Sequence, residues 1–465
     1  MLNAKPLKRS LLKVFLCVYC LLLLNFGCSR KSQPQTAAEG EKKSPQILNE
    51  QLESDHPSGN LAQNLYALMQ KAELENSNGT YDTALLTWRE IHRRVTHEFG
   101  KDAWQTISAE LAMTAARQRT TFSEKDRELS SELTGLKLTA IRLLENQKYQ
   151  QACEVIEKAA SLSLLLWGEE SFVTANINYI RAQCYFGIND NDRGLKLLND
   201  VLDLRISLTG QNHPDIESTL ELISQAQTTL NNQTAAEQTL QKLIPISGKL
   251  WGTDSEVYAK RLNDLGVSQN RNGKPLLALK RFEAVIQIRK KVHGDRSIQE
   301  AHARLNKGLA HAKAQQYSES MAEMVITYDL FHKHDLSRKD PIWVLLLDQL
   351  GTIALMEKKN LEAQKYFSEL ADHWRETQGE SHLEYGKSLY KLGVCIGNQG
   401  KYEEAHLIIK RAINIMESRL GPNHKILHQP LTTYARLLEK LGGKEEAGRI
   451  KDRAVRLTGF QDLPE

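Results

Sequence analysis

The sequence has 465 residues, and its 61 Lys and Arg against 57 Asp and Glu give a formal net charge of +4. Aromatic residues make up only 6 % of the chain and there are 11 prolines, a composition that argues against an all-β sandwich or barrel and favours helices. A charged fraction of 25 % beside 41 % hydrophobic residues excludes a wholly disordered chain. A net charge this small over this length gives no indication of nucleic-acid binding.

The N-terminal segment carries the excess positive charge. Residues 1–27 contain four basic residues and no acidic residue, so the rest of the chain is formally neutral. An apolar run of 11 residues from Val14 to Leu24 follows the basic residues, and it is shorter than the roughly 20 residues of a membrane-spanning helix. A basic stretch before a short apolar run predicts a secretory signal peptide over residues 1–27.

Cys28 directly follows this segment. Together with Gly27 it resembles the lipobox of bacterial lipoproteins, in which the cysteine becomes the lipidated N-terminus, although Asn25 and Phe26 depart from the pattern. The resemblance implies lipidation of Cys28. An uncleaved N-terminal membrane anchor and cleavage without lipidation remain open alternatives. Residues 28–60 are mostly polar and are expected to form a flexible tether.

A 42-residue repeat runs through most of the chain. Glycines recur at this interval in two runs, at Gly168, Gly210, Gly252 and Gly294, then at Gly379 and Gly421. Small residues occupy an earlier position in each unit, at Ala72, Ala140, Ala182, Ser224, Gly266, Gly308, Gly351, Gly393 and Ala435. A second small position follows twelve residues later, at Ala84, Ala152, Gly194, Ala236, Ala278, Ser320, Ala363, Ala405 and Ala447. The period predicts helix pairs, helix A then helix B, whose small residues allow a close crossing.

The pattern resembles the tetratricopeptide repeat, in the 42-residue form of kinesin light chains. The likeness rests on the two small positions, on the stretch Gly400–Ala405 (GKYEEA) and on the ending Leu420–His424 (LGPNH). Leucine usually stands where the family has a large aromatic residue at the first helix-A signature position. The resemblance implies an all-α fold, an α-α superhelical solenoid of about nine helix pairs.

The repeat register predicts the domain organisation. A first unit covers residues 61–102, a helical insertion covers 103–134, an array of about eight units covers 135–458, and a tail covers 459–465. The insertion is inferred because Tyr81 and Tyr149, which occupy equivalent positions, are 68 residues apart instead of 42. We expect an extra helical pair or elongated helices there, which either cap the array or dock a partner.

The chemical motifs of common enzymes are absent from the sequence. It has no G-x-S-x-G, H-E-x-x-H, phosphate-binding or dinucleotide-binding motif. His332 and His334 are two residues apart and would not share a helix face, so we expect a loop there and no metal site. We predict a protein that is not an enzyme, with no catalytic residues, cofactor or metal. A hydrolase that uses carboxylates such as Glu221 and Asp264 is the alternative.

The tetratricopeptide-repeat resemblance also implies a partner-binding groove lined mainly by helix A. Carried over to this sequence, the groove positions are Asn176, Tyr179, Gln183, Glu221, Gln225, Lys260, Asn263, His302, Asn306, Asp348, Gln349, Lys387, Tyr390 and Lys391. Asn and Gln can pair with the amide groups of a peptide backbone, and Tyr adds rigid apolar area with a polar tip. The set contains both acidic and basic side chains.

These observations lead to one functional hypothesis and, besides the hydrolase, one further alternative. The hypothesis is a non-enzymatic scaffold on the extracytoplasmic side of the cell envelope, tethered to a membrane by its N-terminal lipid or signal anchor. It would bind a protein or peptide partner along the groove. The alternative is a cytoplasmic signalling adaptor held by an uncleaved N-terminal helix. Neither includes a nucleic-acid partner.

Overall fold

The computed structural model describes residues 57–336 and 340–458, and these residues are almost entirely helical. They form 19 α-helices and one short 3₁₀ helix, with no β-strand in the described ranges. The predicted all-α fold is therefore confirmed. The predicted signal peptide, Cys28 and most of the predicted tether lie outside the described residues.

The first of two compact units ends at Thr253. Its described part contains α1 (Pro57–Ser77), α2 (Tyr81–Phe99), α3 (Trp104–Thr120), α4 (Glu124–Glu145), α5 (Tyr149–Trp167), α6 (Phe172–Gly187), α7 (Asn191–Thr209), α8 (Pro214–Thr229) and α9 (Gln233–Trp251). Consecutive helices pack as the pairs α1/α2, α4/α5, α6/α7 and α8/α9, and α3 packs on α2. The predicted insertion thus holds one 17-residue helix, α3, and the start of a long 22-residue helix, α4.

The second compact unit begins at Asp254. It contains α10 (Glu256–Arg271), α11 (Pro275–His293), α12 (Ile298–Lys313), α13 (Tyr317–Lys333), α14 (Pro341–Met356), α15 (Asn360–Gln378), α16 (Leu383–Asn398), α17 (Tyr402–Leu420), the 3₁₀ helix Lys425–Leu427, α18 (His428–Lys440) and α19 (Lys444–Thr458). These form five consecutive pairs, so the even-numbered helices are the A helices of this unit and the odd-numbered helices are its B helices.

The small residues of the repeat allow each B helix to pack closely on its A helix. A Cβ atom added to Gly351 in α14 would lie 2.6 Å from the ring of Phe367 in α15, and one on Gly266 in α10 would lie 2.7 Å from Phe282 in α11. Phe282 and Phe367 are 1 % and 0 % exposed. The large residue of helix B therefore fills the space that the missing side chain leaves.

The turn between helices A and B requires a left-handed backbone at one position in each pair. Asn189, Gly273 and Gly400 have φ values of 61°, 74° and 84° and lie at matching positions of three units. Glycine and asparagine tolerate this conformation better than other residues do. The 42-residue spacing of turn residues thus follows directly from the helix-pair geometry.

The predicted loop is wrong for His332, which lies near the end of α13 (Tyr317–Lys333). The irregular segment that follows is a turn at His334 and Asp335. It lacks the usual glycine, and Asp335 adopts the left-handed conformation with φ of 47°. His332 packs its ring against Trp343, with centroids 4.9 Å apart. Nε2 of His334 lies 2.7 Å from the carbonyl oxygen of Arg296. The His332 ring therefore packs against an aromatic residue, whereas the His334 ring contacts a backbone carbonyl.

Across the described ranges, every helix is too short or too polar to cross a lipid bilayer.

Candidate functional site

The predicted groove residues of the second unit connect one A helix to the next. Asn306 in α12 donates a 2.9 Å hydrogen bond from Nδ2 to Oδ1 of Asn263 in α10. Lys391 in α16 pairs with the Asp348 carboxylate in α14. The hydroxyl groups of Tyr390 in α16 and Thr433 in α18 are 3.1 Å apart. We call these three contacts the A-helix ladder.

All three contacts of the A-helix ladder join residues 43 positions apart. This is one repeat plus one residue, so each side chain reaches sideways to the neighbouring A helix. Since the six residues are half-buried, each also presents part of its surface to solvent. The ladder therefore provides partly exposed polar pairs between α10 and α12, between α14 and α16, and between α16 and α18.

The Lys391 ammonium group is held from two sides. It pairs with Asp348, and it lies 5.6 Å from the centre of the Phe367 ring. Lys387, one helical turn earlier, instead pairs with Glu384 of its own helix at 2.6 Å. The basic side chains of α16 are thus already neutralised by local partners.

His302 in α12 is a half-buried groove residue with an unusual environment. Burial lowers the pKa of His302 below its ordinary value, and the charge of Arg289 adds to this effect. Its ring lies 5.6 Å from that of Phe331, and its Nε2 has no hydrogen-bond partner. A neutral imidazole at neutral pH follows from this. The remaining predicted positions of this unit are Lys260, which is exposed, and Gln349, which is half-buried.

Two predicted groove residues of the first unit are buried. Asn176 and Tyr179 in α6 are each 6 % exposed. Nη2 of Arg205 donates a 2.7 Å hydrogen bond to Oδ1 of Asn176, and the Arg205 guanidinium lies 4.5 Å from the centre of the Tyr179 ring. In this structure both residues support the packing of α6 on α7 and offer little accessible surface.

Three other predicted residues of the first unit remain at least partly accessible. Gln183 and Glu221 are half-buried and Gln225 is exposed. The carboxylate pair considered for a hydrolase is divided between the two compact units, with Glu221 in α8 and Asp264 in α10.

Ser108, His213 and Asp215 lie side by side in space, as the three residues of a catalytic triad do. The sequence analysis did not predict this arrangement. Oγ of Ser108 lies 2.9 Å from Nε2 of His213, and Nδ1 of His213 lies 3.4 Å from the Asp215 carboxylate. The Asp215 backbone N–H, however, donates to the same Nδ1 at 3.2 Å. This assigns the ring proton to Nε2, where it is donated to Ser108, and such a histidine cannot accept the serine proton.

The same histidine contact recurs at other helix starts, where no serine is involved. Nδ1 of His382 accepts the backbone N–H of Glu384 at 3.3 Å, and Nδ1 of His424 accepts that of Ile426 at 3.2 Å. Burial lowers the pKa of His213 and so favours its neutral form. His213 is therefore best described as a helix N-cap.

A cavity of about 440 Å³ lies in the first unit, where α1, α2 and α3 meet the beginning of the repeat array. Residues of α1–α8 contribute to its wall, among them Trp88, Trp104 and Trp167. Arg119 and Lys137 also reach it. The repeat register did not predict this cavity, because α3 has no equivalent in the other units.

Known proteins share this helical architecture. Residues 343–418, which cover nearly all of α14–α17, match the family model of the tetratricopeptide repeat. The structure of the apo form of RapI is similar over 85 % of this chain and 97 % of its own, at 10 % identity and a TM-score of 0.54. The apo form of the quorum sensor NprR from B. thuringiensis is similar over 83 % and 99 %, at 14 % identity and a TM-score of 0.50.

A tetratricopeptide repeat protein from Parabacteroides merdae shows a weaker likeness. It covers 70 % of this chain and 99 % of its own, at 14 % identity and a TM-score of 0.42. No curated protein matches the sequence significantly. The predicted resemblance to tetratricopeptide-repeat proteins is confirmed, and at these identities the structural similarities speak for the fold alone.

Proposed function

We propose that this protein is a membrane-tethered, non-enzymatic scaffold that binds a protein or peptide on the extracytoplasmic side of the membrane. The tetratricopeptide-repeat fold supports a role in protein–protein interaction. The A-helix ladder is the observation that carries the groove part of the proposal, because it places paired polar side chains between α10 and α12 and along α14, α16 and α18.

A peptide backbone suits this surface chemically. Asn263 and Asn306 each have a donor and an acceptor beyond the single bond that joins them. The partly exposed Tyr390 ring offers apolar contact area next to its hydroxyl. A bound segment would replace these side-chain contacts or add to them. Each polar contact would therefore contribute only modestly to the binding free energy. The affinity would be the sum of contacts along several repeats.

The charges of the ladder favour a partner without a large net charge. Lys391 is balanced by Asp348, and Lys387 is balanced by Glu384. A strongly acidic or basic segment would have to displace one of these local partners. Recognition would therefore depend mainly on amide and hydroxyl groups.

The membrane tether rests on the N-terminal sequence, with Cys28 as the lipidated residue. The four basic residues, the short apolar run and the Gly27–Cys28 pair support an exported lipoprotein. Metabolic labelling with a lipid analogue tests it, and we expect labelling of the wild type and none of Cys28→Ala. Label retained by Cys28→Ala would contradict lipidation at this residue.

Affinity capture from solubilised membranes tests the groove. The test variant combines Asn263→Ala with Tyr390→Ala, and the control is Lys410→Ala, at an exposed position of α17. We expect partner recovery to fall at least about tenfold in the double variant and to stay unchanged in the control. Equal recovery by all three proteins, with equal thermal stability, would contradict a ligand groove on the A-helix ladder.

A further inference from the structure

The cavity of the first unit has the size and lining of a small-molecule site. Its volume of about 440 Å³ lies within the usual range for such sites. Trp88 of α2, Trp104 of α3 and Trp167 at the end of α5 are all more than nine-tenths buried and provide aromatic walls. A site of this kind suits a ligand with an apolar body.

Two basic side chains reach the same cavity. Arg119 projects from α3 and Lys137 from α4, and both line the cavity. The Arg119 guanidinium lies 5.6 Å from the centre of the Trp167 ring. Burial lowers the pKa of Arg119 and lowers that of Lys137 to about 8, while the Glu73 carboxylate opposes both shifts. Glu170 and Asp215 also line the cavity, but Glu73 is the carboxylate that acts on both cations.

A third polar group that lines the cavity is the indole of Trp167. The Trp167 side chain is 8 % exposed, and its Nε1–H has no hydrogen-bond acceptor. A buried donor of this kind ordinarily has an acceptor. The indole N–H, the guanidinium and the ammonium group are all donors, so they select for a ligand that accepts hydrogen bonds and carries negative charge.

We propose that this cavity binds a small molecule consisting of an apolar body and a single carboxylate. The carboxylate lies between Arg119 and Lys137, with the Trp167 N–H as an additional donor, and the apolar body contacts Trp88 and Trp104. The cavity belongs to the first unit and the A-helix ladder to the second, and they share no residue. Ligand binding in the cavity is therefore a second binding activity, which does not depend on the proposed scaffold function.

Titration calorimetry of the full chain in detergent-free buffer tests the proposal. The probes are 4-phenylbutyrate and octanoate, which distinguish an aromatic from a fatty body, each paired with the alcohol of the same skeleton. We expect saturable binding of at least one carboxylate, accompanied by a change in tryptophan fluorescence. We also expect the matching alcohol to bind at least about tenfold more weakly, because it lacks the charge.

Two variants locate the carboxylate. Arg119→Gln and Lys137→Met should each weaken binding at least about tenfold, whereas Arg117→Gln should bind like the wild type. Arg117 is exposed on the same helix as Arg119 and does not line the cavity. Lys137→Met should also fold at least as stably as the wild type, because it removes a poorly solvated charge, so its weaker binding cannot be attributed to misfolding.

Three results would overturn the proposal. The first is the absence of saturable binding by both carboxylates. The second is binding of an alcohol as tight as that of its carboxylate. The third is unchanged carboxylate binding in Arg119→Gln and Lys137→Met.

Discussion

Asn263 and Asn306 lie 43 residues apart and share an amide–amide hydrogen bond of 2.9 Å between successive A helices. The Asp348–Lys391 and Tyr390–Thr433 contacts have the same separation. The repeat therefore places polar side chains of successive A helices next to each other. A ligand on this surface would contact pairs of side chains, because each ladder residue is already bonded to a residue of the adjacent A helix.

The close crossing of α14 and α15 predicts a large effect of a small substitution. Gly351→Ala should lower the free energy of unfolding by about 1–3 kcal/mol, because its Cβ would lie 2.6 Å from the fully buried Phe367 ring. Gly448→Ala is the control within the same unit, since it is exposed in α19 and a Cβ there meets nothing within 4 Å. Chemical denaturation of both variants measures the difference, and equal stability would contradict the packing described.

The Asp348–Lys391 pair should couple weakly. Both side chains are about one-third exposed, so solvent screens their attraction and the coupling free energy should be only about 0.5–1 kcal/mol. A double-mutant cycle with Asp348→Asn and Lys391→Met measures it by denaturation. A coupling of several kcal/mol would mean that the pair is buried more deeply than described.

The helix-capping role of His213 predicts a selective response to substitution. His213→Ala should lower the free energy of unfolding by about 1–2 kcal/mol. His213→Asn should lower this free energy by a smaller amount, because asparagine is a good N-cap residue. Ser108 should not react with a fluorophosphonate probe, because His213 carries its proton on Nε2. Covalent labelling of Ser108 would contradict this tautomer.

The buried ammonium group of Lys137 predicts a pH dependence of stability. Its pKa is about 8 in the folded chain and 10.5 in the unfolded reference. Between these values the unfolded state binds the extra proton, so the contribution of Lys137 to the free energy of unfolding rises as pH increases. The total gain should be on the order of 3 kcal/mol.

The comparison with Lys137→Met isolates this contribution. Denaturation of the wild type and of the variant from pH 7 to pH 10.5 should show the stability difference narrowing as pH rises. Glu73 and Arg119 remain in both proteins, and they are the charged groups that act on Lys137. A difference that stays constant with pH would show that Lys137 is solvated.

The periodic part of the fold could be predicted from the sequence, because every close crossing of a helix A and a helix B needs a small residue at the same position of the repeat. Gly266 and Gly351 were assigned correctly from spacing, since a larger residue would collide with the next helix. The packing of α3 could not be predicted in this way. Ser108 and His213, which are in contact, are 105 residues apart and belong to no repeating pattern.

The groove positions of the first unit show why a repeat register alone is insufficient. Arg205 occupies a B-helix position and is 2 % exposed. Its buried guanidinium requires acceptors, and it finds them in Asn176 and in the Thr219 hydroxyl. Asn176 was expected to face a ligand. Its side chain is instead buried, because it accepts a hydrogen bond from Arg205 of the neighbouring helix α7.

Site-specific photocrosslinking in cells tests the central claim most directly. A benzoylphenylalanine residue at Gln349, beside Asp348 on the A-helix ladder, should form a covalent adduct with a protein or peptide partner. Benzoylphenylalanine in place of Lys410, which is exposed on helix B α17 of the second compact unit, should form no adduct. Adducts of equal yield at both positions, or an adduct at Lys410 alone, would contradict partner binding along the A helices.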